Sequence, residues 1–210
     1  MFILLNTFLL MNRYAQCIRM ELNSRATSTK RDERMALKVK HLKEVGSTND
    51  YALRLINDEK LDHDVAIIAD IQTKGRGRLN GRFWNSPLGN FYCSYIINLQ
   101  NLCVPDNATN LLTFSIINAL YQYLIKITKS DKIKLKQPND ILVNNKKLAG
   151  VLTEVSYPYA IVGIGINLVN SPIERATNLK SEFKLLVNPM DLAENFYEFL
   201  MYELNKCFLI

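Results

Sequence analysis

The chain has 210 residues, 48% of them hydrophobic and 22% charged, a composition that suits one well-buried globular domain and leaves little room for a second. Its net charge of +6 comes mostly from the first forty residues, which hold eight basic and three acidic side chains; the remainder holds 18 basic and 17 acidic ones. This nearly neutral body argues against a broad surface for nucleic acid.

The cysteines and histidines give no sign of a metal centre. No C-x-x-C pair occurs, and the histidines have no ligand spacing to each other or to a cysteine. We expect neither a zinc site nor a disulfide framework, and interpret the thiols as structural residues in a reducing cytosol. The residues concerned are Cys17, Cys93, Cys103, Cys207, His41 and His63.

The first 36 residues are predicted to be an extension that is not integral to the fold. Residues 1–11 form an apolar run that is too short to span a bilayer and has no positively charged segment before it. Residues 23–34 are polar and basic. We expect the folded domain to cover residues 37–210.

The first elements of that domain are predicted to be a strand, a helix and a strand. Residues 38–44 form the first strand, and Ser47-Thr48-Asn49-Asp50 has the capping residues of a helix start. Residues 65–71 are a continuous apolar run of strand length, which is typical of a strand covered on both faces.

Residues 91–99 predict the next strand, so the segment between residues 71 and 91 is a strand-to-strand connection. A long helix should start at a cap at Asp106 or Thr109 and continue to about Thr128. Its apolar residues recur at helical spacing, and we interpret that stripe as core packing.

The rest of the chain predicts strands joined by tight turns and then a final helix. The strands fall at residues 133–137, 141–143, 148–155 and 161–168, and Asn188-Pro189 opens a helix to about Cys207. The sequence therefore predicts a single α+β domain, with helices packed on a mixed or mostly antiparallel sheet.

The connection between the second and third strands contains an unusual segment. Residues 74–84 hold three arginines, three glycines and the only tryptophan of the chain. Glycine lets main-chain N–H groups approach a ligand, guanidinium groups bind phosphate or carboxylate oxygens, and an indole offers a face to a nucleobase. The glycine spacing fits neither the dinucleotide fingerprint nor the P-loop, and the alternative is a solvated basic hairpin tip.

Four separated motifs give that segment a context. Together, and in this order, they resemble the catalytic domain of biotin–protein ligases, from about Leu42 to the last helix. The resemblance implies the class II synthetase-like biotin/lipoate ligase fold. The motifs are Gly46-Ser47-Thr48-Asn49; Gln72 with residues 75–87; residues 136–140 with Lys147-Leu148-Ala149-Gly150; and Gly163-Ile164-Gly165-Ile166-Asn167.

The resemblance also implies a two-step reaction. Biotin and MgATP give biotinyl-5′-AMP and pyrophosphate, and the acyl group then passes to a lysine of a biotin carboxyl carrier domain. Two anions must be brought together in a site that excludes water, which requires local positive charge. By resemblance, Lys147 bridges the carboxylate and the α-phosphate, and Arg76 and Arg78 close over the intermediate; these three are the expected catalytic residues.

The same resemblance assigns the binding residues. The expected biotin contacts are Ser47, Thr48, Asn49, Gln72, Gly75, Arg76, Lys147, Gly163 and Gly165. The expected ATP or AMP contacts are Arg76, Arg78, Arg82, Trp84, Asn139, Asp140, Lys147 and Asn167, with Asp140 also a candidate Mg²⁺ ligand. The simpler readings are an exposed edge lysine for Lys147, a core tryptophan for Trp84, an Asx-turn for Asp140 and a helix cap for Ser47.

The sequence departs from the family pattern at Gln137, Asn80 and Lys74. These departures affect the conformation expected for residues 74–84, which we call the arginine loop. No helix-turn-helix is seen before the domain, so DNA binding is not expected. No SH3-like barrel is seen after the last helix, so contacts that this module makes with ATP or a partner are not carried over. The other expectations are a carrier protein as partner, no membrane association, a cytoplasmic location and a possible homodimer.

Three other functions compete with biotin ligation. A lipoate or octanoate ligase would share the fold, although the arginine-glycine loop and residues 147–150 favour biotin. A nucleic-acid-binding module would use the basic loop, but a near-neutral body and few interleaved aromatic residues argue against it. An inactive binding domain would bind without turnover.

Overall fold

The computed structural model describes residues 37–58, 61–78, 81, 83–102, 104 and 109–208. The predicted N-terminal extension and Arg82 lie outside the described residues.

Seven strands form one mixed sheet in the order β1-β2-β3-β7-β6-β5-β4. Strand β1 pairs with β2 in parallel, and every other neighbouring pair is antiparallel. The predicted α+β class and the mostly antiparallel sheet are therefore confirmed. The strands are β1 (Lys38–Val45), β2 (Val65–Gln72), β3 (Phe91–Asn98), β4 (Ile133–Lys136), β5 (Asp140–Val143), β6 (Lys146–Ser156) and β7 (Tyr159–Ile166).

The helices cover the two faces of this sheet unequally. Helix α1 (Thr48–Asp58) packs on one face, and the long helices α2 (Thr109–Thr128) and α4 (Pro189–Phe208) pack on the other, in the larger core. Side chains of β2 alternate between the two cores, with Val65 and Ile67 on the α1 side and Ala66 and Ile68 opposite. This two-sided burial is the reason for the continuous apolar run seen in the sequence.

Helix α2 has the length and hydropathy of a membrane span. Seven of its residues are nevertheless buried, and they pack into the core with α4 and the sheet. The predicted apolar stripe thus serves core packing, as expected for a helix of a globular domain.

The turns and caps largely follow the sequence. Asn144 and Asn145 adopt positive φ angles of 50° and 62° in the predicted turn. The Met190 N–H donates to the Asn188 side chain at 2.8 Å, so Asn188 caps α4 as predicted. The sequence analysis missed the short helix α3 (Leu179–Phe183), although Asn178 caps it by accepting from the Ser181 N–H.

Asp64 joins three elements just before β2. Its carboxylate accepts a hydrogen bond from the Asn98 N–H at 3.1 Å and another from the Tyr197 hydroxyl at 2.8 Å. Its own carbonyl accepts from the Lys38 N–H. Burial raises the pKa of Asp64, and the two hydrogen bonds to its carboxylate only partly offset this effect.

Replacing Asp64 with Asn should change how stability depends on pH. The native pKa of Asp64 lies above the unfolded value of about 3.9, so between these two values the native state binds more protons than the unfolded state. The contribution of Asp64 to stability is therefore lost as the pH rises through its native pKa. We expect the free energy of unfolding of the wild type, relative to Asp64→Asn, to be larger at pH 4 than at pH 7 in urea titrations. An equal difference at both pH values would contradict this account.

Candidate active site

An open cleft with a cavity volume of about 70 Å³ lies on the α1 face of the sheet. It brings together most of the residues that the sequence analysis assigned to ligands. The assigned residues that line it are Ser47, Thr48, Asn49, Gln72, Arg76, Arg78, Trp84, Asn139, Lys147, Gly163 and Gly165.

The floor of the cleft is made by strands β6 and β7, where glycines replace larger side chains. In the strand register Gly150 pairs with Gly165, and Leu152 pairs with Gly163. Positions two residues apart lie on the same face and are separated by about 7 Å. We call the two ends of the floor the Gly163 end and the Gly165 end.

At the Gly163 end the amide of Asn49 lies directly on the glycine, and a Cβ at Gly163 would collide with it. The Asn49 Nδ2 donates to Glu154 Oε2 at 2.7 Å, and its Oδ1 accepts from the Ser94 hydroxyl at 2.6 Å. Ser94 is fully buried. Both ends of the amide are therefore engaged, which fixes its orientation.

Arg76 reaches the same end from the arginine loop. Its Nη2 donates to Glu154 Oε1 and Oε2 at 2.9 and 2.7 Å, and also contacts Asp50 Oδ1 at 2.8 Å. Burial acts to lower the pKa of Arg76, but the carboxylates of Glu154 and Asp50 outweigh burial and raise it. The guanidinium charge is thus compensated within the protein.

A second group of hydrogen bonds attaches the loop to α1. Gln72 Oε1 accepts from the Thr48 N–H at 2.8 Å and from the Thr48 hydroxyl at 3.0 Å. Gln72 Nε2 donates to the Ser86 hydroxyl, which in turn donates to the Trp84 carbonyl, each at 3.0 Å. The helix start and both ends of the loop are connected through the Gln72 side chain.

At the Gly165 end the indole of Trp84 lies against the glycine. A Cβ at Gly165 would be 2.6 Å from Trp84 Cε2, and one at Gly150 would be 3.0 Å from Cζ3. The Lys147 ammonium lies 4.7 Å from the centre of the indole ring and 2.6 Å from Asp140 Oδ1. Trp84 is a wall of the cleft and not a residue buried beneath it.

The main chain of Lys147 is held firmly. Its N–H donates to the Arg175 carbonyl at 2.8 Å, and its carbonyl accepts from the Thr177 N–H at 2.9 Å and from Asn167 Nδ2 at 3.2 Å. Strand β6 therefore presents the lysine from a fixed backbone, with its side chain half-buried in the cleft.

Three of the assigned residues that the structure describes do not line the cleft. Gly75 packs against the Trp84 carbonyl, where a Cβ would come within 2.5 Å. Asn167 is buried and binds the carbonyls of Lys147 and Thr177 through Nδ2. Asp140 is occupied by Lys147, and Arg82 lies outside the described residues.

Several polar groups of the lining are left without a partner. Within the described part of the chain, Arg76 Nε and Trp84 Nε1 are buried donors that make no hydrogen bond. Arg78 makes no ion pair with any described residue. Buried donors without a hydrogen-bond partner are rare in native structures, so these two set the Arg76 and Trp84 side chains apart from the rest of the lining.

The sequence analysis missed Glu154, Asp50 and Ser94 as parts of the site. The available signal was an acidic residue within the otherwise apolar run of β6, together with a lone serine in the aromatic strand β3. The residues that the structure describes contain no cluster of three or more His, Cys, Asp or Glu side chains that could hold a metal ion.

The model of the Biotin/lipoate A/B protein ligase family matches residues 42–168. Among curated relatives, the bifunctional ligase/repressor BirA of Escherichia coli is 33% identical over 63% of this chain and 41% of its own length. The biotin–[acetyl-CoA-carboxylase] ligase of Paracoccus denitrificans is 36% identical over 60% of this chain and 52% of its own length. The matched region thus spans about half of these relatives.

Solved structures agree in fold. The biotin protein ligase of Aquifex aeolicus in complex with biotin and ATP superposes with a TM-score of 0.68 at 32% identity, covering 80% of this chain and 71% of that one. The biotin protein ligase of Leishmania major in complex with biotinyl-5-AMP superposes with a TM-score of 0.69 at 28% identity, covering 80% of this chain and 75% of that one. With more than half of its length matched by the family model, the chain belongs to the biotin/lipoate A/B protein ligase family.

Proposed function

We propose that this chain is a biotin–protein ligase, which activates biotin with ATP and transfers it to a lysine of a biotin carboxyl carrier domain. The observation that carries the proposal is a cleft with a charge-compensated polar end and a cationic end, joined by a glycine floor. The relatives named biotin ligases, and the neighbours solved with biotin, ATP or biotinyl-5-AMP, support it.

Biotin has a neutral ureido head, a short apolar chain and a carboxylate. The ureido group suits the Gly163 end, because Asn49 Oδ1 keeps a second lone pair beside the bond from Ser94 and Arg76 Nη1 makes no hydrogen bond, while Glu154 and Asp50 balance the arginine charge. The apolar chain would run past the Asn49 and Trp84 side chains that cover the glycine floor, and the carboxylate would reach Lys147. Arg76 is therefore assigned to the biotin head and not to the phosphates.

In the first step a carboxylate oxygen of biotin attacks the α-phosphorus of ATP. The new P–O bond forms as the bond to the β-phosphate breaks, and pyrophosphate leaves with the electron pair. Lys147 would lie between the two anions and reduce their repulsion, once its ammonium turns from Asp140. Arg78, which has no ion pair among the described residues, would bind phosphate oxygens.

In the second step the ε-amine of the carrier lysine attacks the acyl carbon, the C–O bond to the phosphate breaks, and AMP leaves. No side chain of the cleft is assigned as a general base; desolvation near Lys147 and Arg78 favours the neutral amine. Mg²⁺ would enter with the triphosphate, with Asp140 as a nearby carboxylate, because Mg²⁺ is usually bound by substrate phosphates and few protein ligands. The carrier partner, a homodimer and a cytoplasmic location stay predictions.

Lys147→Ala should abolish biotin activation. Loss of a single group that stabilises developing charge costs about 10²–10³-fold in kcat, so biotin-dependent ATP–pyrophosphate exchange should fall by at least ~100-fold. Lys146→Ala is the matched control, since its exposed side chain is adjacent in sequence and does not line the cleft. ATP–pyrophosphate exchange with lipoate or octanoate but not with biotin would overturn the assignment of biotin as the substrate. No exchange with any of these acids would indicate an inactive domain.

Arg78→Ala should separate nucleotide binding from biotin binding. Removing one charge-assisted phosphate contact should raise the KM for ATP by roughly tenfold, while the Kd for biotin changes less than about twofold. Steady-state exchange at varied ATP and direct biotin titration measure the two effects. An equal loss for both ligands would contradict the assignment of Arg78 to the phosphates.

A further inference from the structure

We propose that Glu154 is a positioning residue that holds Arg76 and Asn49 in their binding positions before any ligand arrives. The inference rests on the proposed function, because it specifies how the Gly163 end of the cleft is assembled. Glu154 would act through Arg76 and Asn49 and would not itself touch the reacting atoms.

The sheet register brings Glu154 to this place. On β6 it pairs with Ile161 of β7, and Leu152, two residues earlier, pairs with Gly163. All of these positions face α1, so the carboxylate lies beside the glycine that carries the Asn49 amide. Among the strand residues that the structure describes, Glu154 alone hydrogen-bonds to both Arg76 and Asn49.

One carboxylate serves both ligand-binding side chains. Glu154 Oε2 accepts from Arg76 Nη2 and from Asn49 Nδ2, each at 2.7 Å. Ser94 occupies the other end of the Asn49 amide, so the two partners together select a single amide orientation. Removing the charge of Glu154 should therefore loosen Arg76 and Asn49 together.

The contact leaves Arg76 able to bind a ligand. Within the described residues Arg76 binds the two carboxylates through Nη2 only, and its Nη1 makes no hydrogen bond. A guanidinium fixed through one nitrogen keeps further donors in a defined direction, which lowers the ordering cost on binding. Because Glu154 and Asp50 compensate the charge, Arg76 needs no ligand anion to hold it over an empty cleft.

A purely structural ion pair is the competing explanation, and it predicts a different result. Arg76 and Glu154 are both about one-third exposed, at 35% and 34% of their side-chain surface. Pairs this exposed contribute little to stability. Glu154→Gln should therefore fold normally, and a selective effect on biotin would not follow from a structural role.

The main experiment is a titration of Glu154→Gln with biotin, in which intrinsic tryptophan fluorescence measures binding. Trp84 is the only tryptophan of the chain and lines the cleft, so its emission reports on this site alone. We expect the biotin Kd to rise by about tenfold or more, with the KM for ATP within about twofold and the Tm shifted by less than about 2 °C. Glu44→Gln, an exposed carboxylate on β1, is the matched control.

Two further variants test the route of the effect. In the Arg76→Ala background, adding Glu154→Gln should weaken biotin binding much less than it does in the wild type, since most of its action passes through Arg76. Asp50→Asn removes the second carboxylate from Arg76 Nη2 without touching the Asn49 amide, and should give a smaller loss. Full additivity of Arg76→Ala and Glu154→Gln would overturn the proposal.

A ligand-free measurement separates this proposal from the proposed function. Without biotin, trypsin should cut after Arg76 faster in Glu154→Gln than in the wild type, because the side chain is no longer fixed. If the wild type binds biotin and Glu154→Gln binds it equally well, the positioning role is overturned. If the wild type does not bind biotin, the proposed function fails, and faster cleavage of the variant would still support the fixing of Arg76.

Discussion

The alternation of side chains along β7 is the constraint on which the candidate site depends. Val162, Ile164 and Ile166 face the large core with α2 and α4, and they hold the strand in the middle of the sheet. On the opposite face Ile161 packs under α1, while Gly163 and Gly165 follow it without side chains. A single strand therefore supplies the core on one side and the floor of the cleft on the other.

Polar contacts hold the side chains at the Gly163 end of that floor and the start of the arginine loop. Asn49 contacts Glu154 and Ser94, and Gln72 connects α1 to the loop through Ser86. Buried polar groups of this kind are stable only when most of their hydrogen bonds are made, so the lining has few alternative arrangements. The exceptions, Arg76 Nε and Trp84 Nε1, belong to two residues of the arginine loop.

The sequence predicted the fold well because its signals were local. The capping residues before α1, the doubly buried β2, the Asn144-Asn145 turn and the Asn188 cap each depend on neighbours along the chain. The five-residue α3 was missed, since it is too short to show a helical repeat. The four motifs also identified most of the lining, because each one ends a strand or begins a helix at the cleft.

The site residue that the sequence analysis missed lies where distant segments meet. Glu154 lies 105 positions from Asn49 and 78 from Arg76, and only the sheet order and register bring them together. Asn167 was expected at the nucleotide from the resemblance of the Gly163–Asn167 motif to the family. Strand β7 ends at Ile166, however, and beyond it the Asn167 amide turns to the carbonyls of Lys147 and Thr177.

The glycine floor has a consequence for redesign of this protein. A glycine can only be exchanged for something larger, so every substitution at Gly150, Gly163 or Gly165 reduces the volume of the cleft. Enlargement has to come from the opposite wall, where Trp84 is the bulkiest side chain in contact with the floor. Variants selected to accept wider acids should therefore change the arginine loop first and leave the strands intact.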